Sequence, residues 1–357
     1  MDTRRWRIYF DGRTEASLRD DPMIQEAATM LRTGKLVAFP TETVYGLGAN
    51  AADETAVQSI FTAKGRPADN PLIVHFADEA AAIGWILEMP ENGHRLASAF
   101  WPGPLTLIVE HLGTLAPAVT AGLPTVGVRV PAHPIAQALL SQARVPVAAP
   151  SANRSGKPSP TQAEHVWKDL NGRIHGLIDG GHSGVGVEST VVDVTGPVPL
   201  LLRPGGVTLE QMRQVVGSVA VDPGLQGVAI PRSPGVKYRH YAPQGEMWVV
   251  IGNGEALVKK MQSMADDGRA RGYTVGILTT EEHRNRYRAD YVLTCGSRSN
   301  PASVARYLFD TLRRFDELGV EWIIAEGFEE EGLFDSVMNR LSKAAEGQVI
   351  DLGEGDI

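Results

Sequence analysis

Residues 150–161, PSANRSGKPSPT, gather Ser151, Asn153, Ser155, Lys157, Ser159 and Thr161 into one loop broken by proline and glycine. Residues 64–75, KGRPADNPLIVH, set Lys64 and Arg66 two positions apart, with Asn70 and His75 following. Small hydroxyls and amides cap phosphate oxygens, while lysine and arginine neutralise them. Together the two segments suit a polyanion held by position and charge, with no protein nucleophile. Neither is a Walker loop or a dinucleotide fingerprint, and G-x-S-x-G and H-E-x-x-H occur nowhere in the chain. Singly, each segment is ambiguous. K-G-R-P also describes a helix C-terminus, where cations meet the dipole, and Ser, Asn, Gly and Pro are ordinary loop residues. Position adds weight: PSAN follows the apolar run VPVAA, and ligands of open α/β sheets gather beyond the carboxyl ends of strands.

Other candidates lie beside apolar runs. Thr43, in FPTETVYGLG, follows a strand-like stretch. Arg129 sits inside TVGVRVP, where a charge is costly unless paired. It is either half of a structural ion pair or an arginine that holds a carboxylate. Arg203, in LLLRPG, ends another such run. Ser189 and Thr190 follow the glycine-rich GGHSGVGVE, which could be a bulge or an anion nest. His94, His111, His133 and His175 show no metal spacing, and Gly252-Asn253-Gly254 reads as a tight strand-to-helix turn.

These residues need elements to hold them. Residues 22–33 predict an amphipathic helix closed by Gly34. LVAFP at 36–40 predicts a buried strand that runs into a turn-rich TETVYGLGAN. Asp53 can cap a helix ending near Lys64 and Gly65. Strands are expected at LIVHF, LTLIVE, VGVRV, VPVAA, GLIDGG, STVVDV and LLLR, with helices at 78–88, 91–100, 133–143 and 161–170. Thr208 and Gln211 form a capping-box pattern before a helix ending at Gly217. From Met247 onward, strands and helices alternate to the end, the pattern of a parallel α/β sheet of Rossmann-like type. The reading is therefore α/β throughout, with a first domain over 1–217, a linker over 218–246 and a second domain over 247–357. The linker's SPGVKYRHYAP is too rich in recognition side chains for a plain spacer, so a lid is expected there.

At 357 residues, 43% of them hydrophobic, the chain has ample core for two domains. Its single cysteine, Cys295, allows no internal disulfide and no cysteine metal cluster, which points to a reducing, cytoplasmic setting. A net charge of -8 argues against a general nucleic-acid binder and leaves room for a local cationic pocket that takes a small anion. No apolar signal core or 18-residue apolar span is present, so no membrane association is expected.

Taken in order, PTETVYGLG, KGRPADNPLIVH, WPGPLT, TVGVRVP, PSANRSGKPSPT, GVESTVVD and LLRPG resemble the YrdC-type threonylcarbamoyl-adenylate synthases. The linker and tail resemble the long, two-domain form. The resemblance implies a twisted open α/β sheet with a large concave cavity. It also implies a reaction in which L-threonine, bicarbonate (or carbon dioxide) and ATP give threonylcarbamoyl-adenylate and pyrophosphate. That product would pass to the machinery that modifies tRNA beside the anticodon. By resemblance, Lys64 and Arg66 are catalytic. With Asn70, Thr125, Ser151, Asn153, Ser159, Arg203 and the linker's Ser233, Tyr238 and His240, they line the ATP or adenylate side. Thr43, His75, Arg129, the Ala149 backbone and Ser189 hold threonine. Mg²⁺ is expected to arrive with the triphosphate rather than on protein ligands. Two other readings compete. The carbamoyl-transferring hydrogenase maturation factors carry zinc-finger and acylphosphatase-like segments that this sequence lacks. An RNA-binding module would need basic, aromatic-rich runs, which are also missing.

Overall fold

The computed structural model describes residues 1–68, 70–226 and 241–353. The chain divides into two compact units. The first comprises Met1–Ser155, Ser159–Gly184 and the described residues from Glu188 to 226; the second comprises the described residues from Tyr241 onward, with Gly156–Pro158 and Val185–Val187. In the first unit the strands are β1 (Arg4–Arg7), β2 (Val37–Phe39), β3 (Gly46–Asn50), β4 (Ile73–His75), β5 (Leu105–Glu110), β6 (Thr125–Arg129), β7 (Val147–Ala148), β8 (Gly176–Asp179), β9 (Thr190–Asp193), β10 (Leu200–Arg203) and β11 (Ala220–Val221). They form one mixed sheet in the order β1-β8-β2-β3-β7-β4-β6-β5-β9-β10-β11. Successive residues of a strand face opposite sides, and that alternation separates two cores. Ala38 joins Tyr45, Leu47 and Val74 on one side, while Val37 and Phe39 join Ile135 and Val147 on the other.

Helices α1 (Glu15–Arg19), α2 (Pro22–Arg32), α3 (Glu54–Lys64), α4 (Glu91–Phe100), α5 (Pro117–Thr120), α6 (Pro134–Ala143), α7 (Ala163–Leu170) and α8 (Leu209–Val216) belong to the same unit. Most start and stop as the capping residues dictate. Asp53 accepts the N–H groups of Thr55 and Ala56 at the head of α3, and Gly65 ends it at φ 64°. Thr208 and Gln211 form a complete capping box on α8. Two expectations change. Residues 78–88 form no α-helix, only a 3₁₀ turn at Ala80–Ala82, because Ile83 is extended and Gly84 has φ 96°. Within the supposed turn at 41–50, residues 46–50 are strand β3. Its glycines allow close approach rather than reversal: a Cβ on Gly48 would stand 2.9 Å from the Phe39 ring and 3.0 Å from Val147.

In the second unit strands and helices alternate except between β13 and β14, where only a 3₁₀ turn at Arg284–Arg286 intervenes: β12 (Glu246–Ile251), α9 (Gly254–Ala270), β13 (Val275–Thr279), β14 (Tyr291–Thr294), α10 (Pro301–Glu317), β15 (Trp322–Glu326), α11 (Leu333–Ala344) and β16 (Val349–Asp351). Every pairing is parallel, in the order β14-β13-β15-β12-β16. Among the described residues no helix is long and apolar enough to cross a membrane.

Gly205, in the first unit, is hemmed in by backbone atoms. A Cβ on Gly205 would lie 2.1 Å from the Thr190 nitrogen, 2.3 Å from the Ser189 carbonyl carbon and 2.6 Å from the Glu188 oxygen. Backbone cannot swing aside as a side chain can. Gly205→Ala is therefore expected to cost about 3 kcal/mol, or roughly 10 °C in melting temperature. A melting temperature within a degree or two of the parent would show that the 188–190 segment yields freely.

Candidate functional site

The two polar segments singled out in the sequence form one structure. Lys64 occupies the last turn of α3 and is only 3% exposed. Its ammonium donates to the carbonyl oxygens of Ser151 (2.5 Å) and Asn153 (2.8 Å), and to the Asn153 amide oxygen at 3.5 Å. The Ser155 N–H returns a bond to the Lys64 carbonyl at 2.9 Å. Lysine and loop are thus tied together, and the loop is tied to β3 through Leu47 N–H to Pro150 and Ala152 N–H to Tyr45, both 2.8 Å. Just past the glycine cap, Arg66 donates to the Asn70 carbonyl at 3.1 Å, and its guanidinium lies 5.8 Å from the centre of the Phe61 ring.

Strand register gives the site two ends. β4 runs parallel to β6 with His75 opposite Arg129, and antiparallel to β7 with Val147 opposite His75. The carboxyl ends of β4 and β6 therefore carry His75 and Arg129 side by side. Asn70 precedes β4, and Thr125 begins β6 opposite Glu110. Thr125 is four residues from Arg129, about 13 Å along the strand. Ala149 lies between the ends, its N–H bonded to the Ile73 carbonyl at 2.9 Å.

Arg129 is 4% exposed and bonded through every nitrogen. Nε donates to the Gly103 carbonyl (3.3 Å), Nη1 to the Thr43 hydroxyl (3.0 Å) and Nη2 to Glu42 Oε1 (2.6 Å). Both sequence alternatives for this residue meet here: it has an ion-pair partner, and that partner stands beside a candidate ligand residue. Thr43 also shares a 2.9 Å hydrogen bond with Thr41. Ser189, just before β9, bonds the Thr106 hydroxyl at 2.8 Å. Arg203 donates to the Ser189 carbonyl at 3.1 and 2.9 Å and to its hydroxyl at 3.2 Å. The resemblance groups these two with different substrates; the fold sets them against each other. Ser159 donates to Glu188 at 2.5 Å, both buried. Glu42 and Glu188 lie in the PTETVYGLG and GVESTVVD motifs but are not among the candidates that the sequence offers. Each precedes a hydroxyl residue that is one of those candidates, and that adjacency is the signal that could have found them. Ser233, Tyr238 and His240, and the lid expected around them, lie outside the described residues.

Burial sets the protonation state of two histidines. His75 is pushed down to about 3, first by loss of water and then by the Arg129 charge. His133, which caps α6 by accepting the Ile135 N–H, is lowered to about 4 by burial. In the unfolded chain both titrate near 6.5. Between those values the unfolded state binds protons and the folded state does not. The stability these groups contribute is thus complete above pH 6.5 and is lost as pH falls towards 4. Each should add a slope of about 1.4 kcal/mol per pH unit. His75→Gln is expected to flatten the acid limb by one such slope in urea unfolding between pH 7 and 4.5. An unchanged limb would mean that His75 is protonated in the fold.

Among the described residues no group of three or more His, Cys, Asp or Glu could hold a metal ion.

Two family models cover most of the chain. One for Sua5, YciO and YrdC proteins, described as telomere recombination, matches residues 29–205. The other, the C-terminal domain of threonylcarbamoyl-AMP synthase, matches residues 207–346. The threonylcarbamoyl-AMP synthase of Bacillus subtilis is 51% identical, over 98% of this chain and 100% of its own. That of Pyrococcus abyssi is 48% identical, over 92% and 95%. The crystal structure of P. abyssi Sua5 complexed with L-threonine resembles the present fold with a TM-score of 0.89 at 45% identity, covering 99% of this chain and 100% of that one.

Proposed function

Since the chain belongs to the threonylcarbamoyl-AMP synthase family, we propose that it makes L-threonylcarbamoyl-AMP and pyrophosphate from L-threonine, bicarbonate or carbon dioxide, and ATP. The product serves threonylcarbamoyladenosine formation in tRNA. The observation that supports this reading most is the polarity of the β4–β6 pair. One end presents Arg129, Thr43 and a neutral His75; the other presents Arg66, Asn70 and the lysine-bound loop at 151–153. An amino acid with its carboxylate on Arg129 and a triphosphate at the cationic end would meet over the middle of the strands.

The chemistry asks little of the protein beyond placement. The threonine ammonium first gives up a proton to solvent; the free amine then takes up carbon dioxide with release of a second proton, or bicarbonate with loss of water, to give a carbamate. A carbamate oxygen then attacks the α-phosphorus, and pyrophosphate departs in line. Two anions must be brought together, so positioning and fixed positive charge carry the rate. Arg66 neutralises phosphate. Lys64 holds the Ser151–Asn153 loop in shape, so that its hydroxyl and amide groups meet the nucleotide. Mg²⁺, bound with the triphosphate, would offset charge on the leaving pyrophosphate. His75, being neutral, can donate or accept a hydrogen bond without adding a charge beside Arg129.

The experiment is pyrophosphate release from ATP with threonine and bicarbonate supplied or withheld. Release should need both. Release that ignores threonine would overturn the reading.

A further inference from the structure

We propose that Glu42 binds the ammonium group of the amino-acid substrate, so that Arg129 and Glu42 hold the two charges of a zwitterion. The inference rests on the amino-acid end of the site being read correctly. Its basis is an imbalance at that end. Glu42 Oε1 is committed to Arg129 Nη2 at 2.6 Å. Its other oxygen, Oε2, is buried and has no hydrogen-bond partner. The large majority of buried side-chain polar atoms have a partner, and a bare carboxylate oxygen beside the residue that would hold a substrate carboxylate suits a donor that the substrate brings. Glu42 is enclosed, its side chain 14% exposed against 5% for Arg129, so water does not supply that donor freely.

The arginine shows the matching half. A guanidinium has five N–H groups. The bonds to Gly103, Thr43 and Glu42 use one on each nitrogen, which leaves one N–H on Nη1 and one on Nη2. Those two suit a second carboxylate, and a fork of that kind is the strong geometry for arginine. The site as it stands holds one cation and one anion, each with capacity to spare. A zwitterion fills both without adding net charge to a buried place. A simple carboxylic acid would fill only the arginine and leave an excess anion beside Glu42. Among the described residues, Arg129 is ion-paired with Glu42 and His133 lies within its electrostatic reach. His133, lowered by burial, is neutral at working pH and does not compete for the carboxylate.

The alternative is that Glu42 only props Arg129. Two ligands separate the cases: L-threonine, and 3-hydroxybutyrate, which has the carboxylate and hydroxyl but no amine. Both are titrated by calorimetry into the full-length protein and into Glu42→Gln, and threonine and ATP dependence of pyrophosphate release are measured in parallel. Glu42→Gln should weaken L-threonine at least tenfold and raise its KM to match, leave the ATP KM within twofold, and leave 3-hydroxybutyrate binding unchanged or improved. Glu42→Asp, which keeps the charge on a shorter arm, should regain part of the threonine affinity and covers the case of a glutamine variant that folds poorly. Equal weakening of both ligands would make Glu42 a prop for Arg129 and overturn the inference. Unchanged threonine binding would do the same. Parent protein that releases no pyrophosphate with threonine would instead remove the functional reading on which the inference stands.

Discussion

Arg66→Ala is expected to lower the rate of threonine-dependent pyrophosphate release about a hundredfold while the protein stays folded. Removing one fixed charge from a phosphoryl-transfer site costs on the order of 3 kcal/mol of transition-state stabilisation, and each 1.36 kcal/mol is a factor of ten. Arg66 lies beyond the Gly65 cap, outside α3, donates to the nearby Asn70 carbonyl and rests over Phe61, so α3 is expected to form without it. Lys64 is a different kind of residue. Its ammonium sits among carbonyl and amide oxygens of another segment, so Lys64→Ala should disturb both the loop and the chemistry. Comparing the melting temperatures of the two variants separates charge from scaffold. A folded Arg66→Ala protein with undiminished release would remove Arg66 from the phosphate site.

The second large effect is expected at Arg129. Arg129→Lys keeps the charge and loses the fork. Three nitrogens now reach Gly103, Thr43 and Glu42 in different directions; a single ammonium cannot do so. The threonine KM should rise on the order of a hundredfold, about 3 kcal/mol, since each hydrogen bond to a charged group is worth about 1.5–3 kcal/mol and lysine cannot reproduce the fork. The ATP KM should barely move, because the strand places Arg129 at the end opposite Thr125 and Asn70. Steady-state kinetics with each substrate varied in turn would check it. Equal losses for both would mean that Arg129 supports the whole site or lies on the nucleotide.

The alternating charges of this site also bear on the -8 net charge of the chain. A body of net negative charge repels polyanions at long range. It still accepts a small anion that reaches the cluster. That combination fits a nucleotide better than a nucleic acid.

Much of the fold was legible in local chemistry. Asp53 and Gly65 bracket α3, and Thr208 with Gln211 opens α8. Apolar runs of four to six residues mark β5, β9, β10 and the strands of the second unit, because a buried strand must be apolar on both faces. The motifs carrying Lys64, Arg66, Ser151, Asn153, Arg129 and Arg203 could be picked out because charged and hydroxyl residues stand against apolar strands, where they are costly without a reason. Local signals failed where the deciding neighbour was distant in sequence. Gly46 and Gly48 look like turn residues until Phe39 and Val147 are packed against them. Residues 78–88 carry helix-forming alanines, yet the chain turns extended at Ile83.

By itself, then, the sequence determined which residue types the site contains and which strands and helices carry them, since caps, periodicity and burial cost act over a few residues. Tertiary structure alone decided who meets whom. Lys64 reaches carbonyls 87 and 89 positions away, and Arg129 reaches Glu42 across 87. Those partnerships depend on β7 pairing between β3 and β4 and on β4 lying parallel to β6. The physical reason is that a buried charge takes whatever partner the sheet register brings within about 3 Å, and register is a property of the assembled sheet rather than of any single strand.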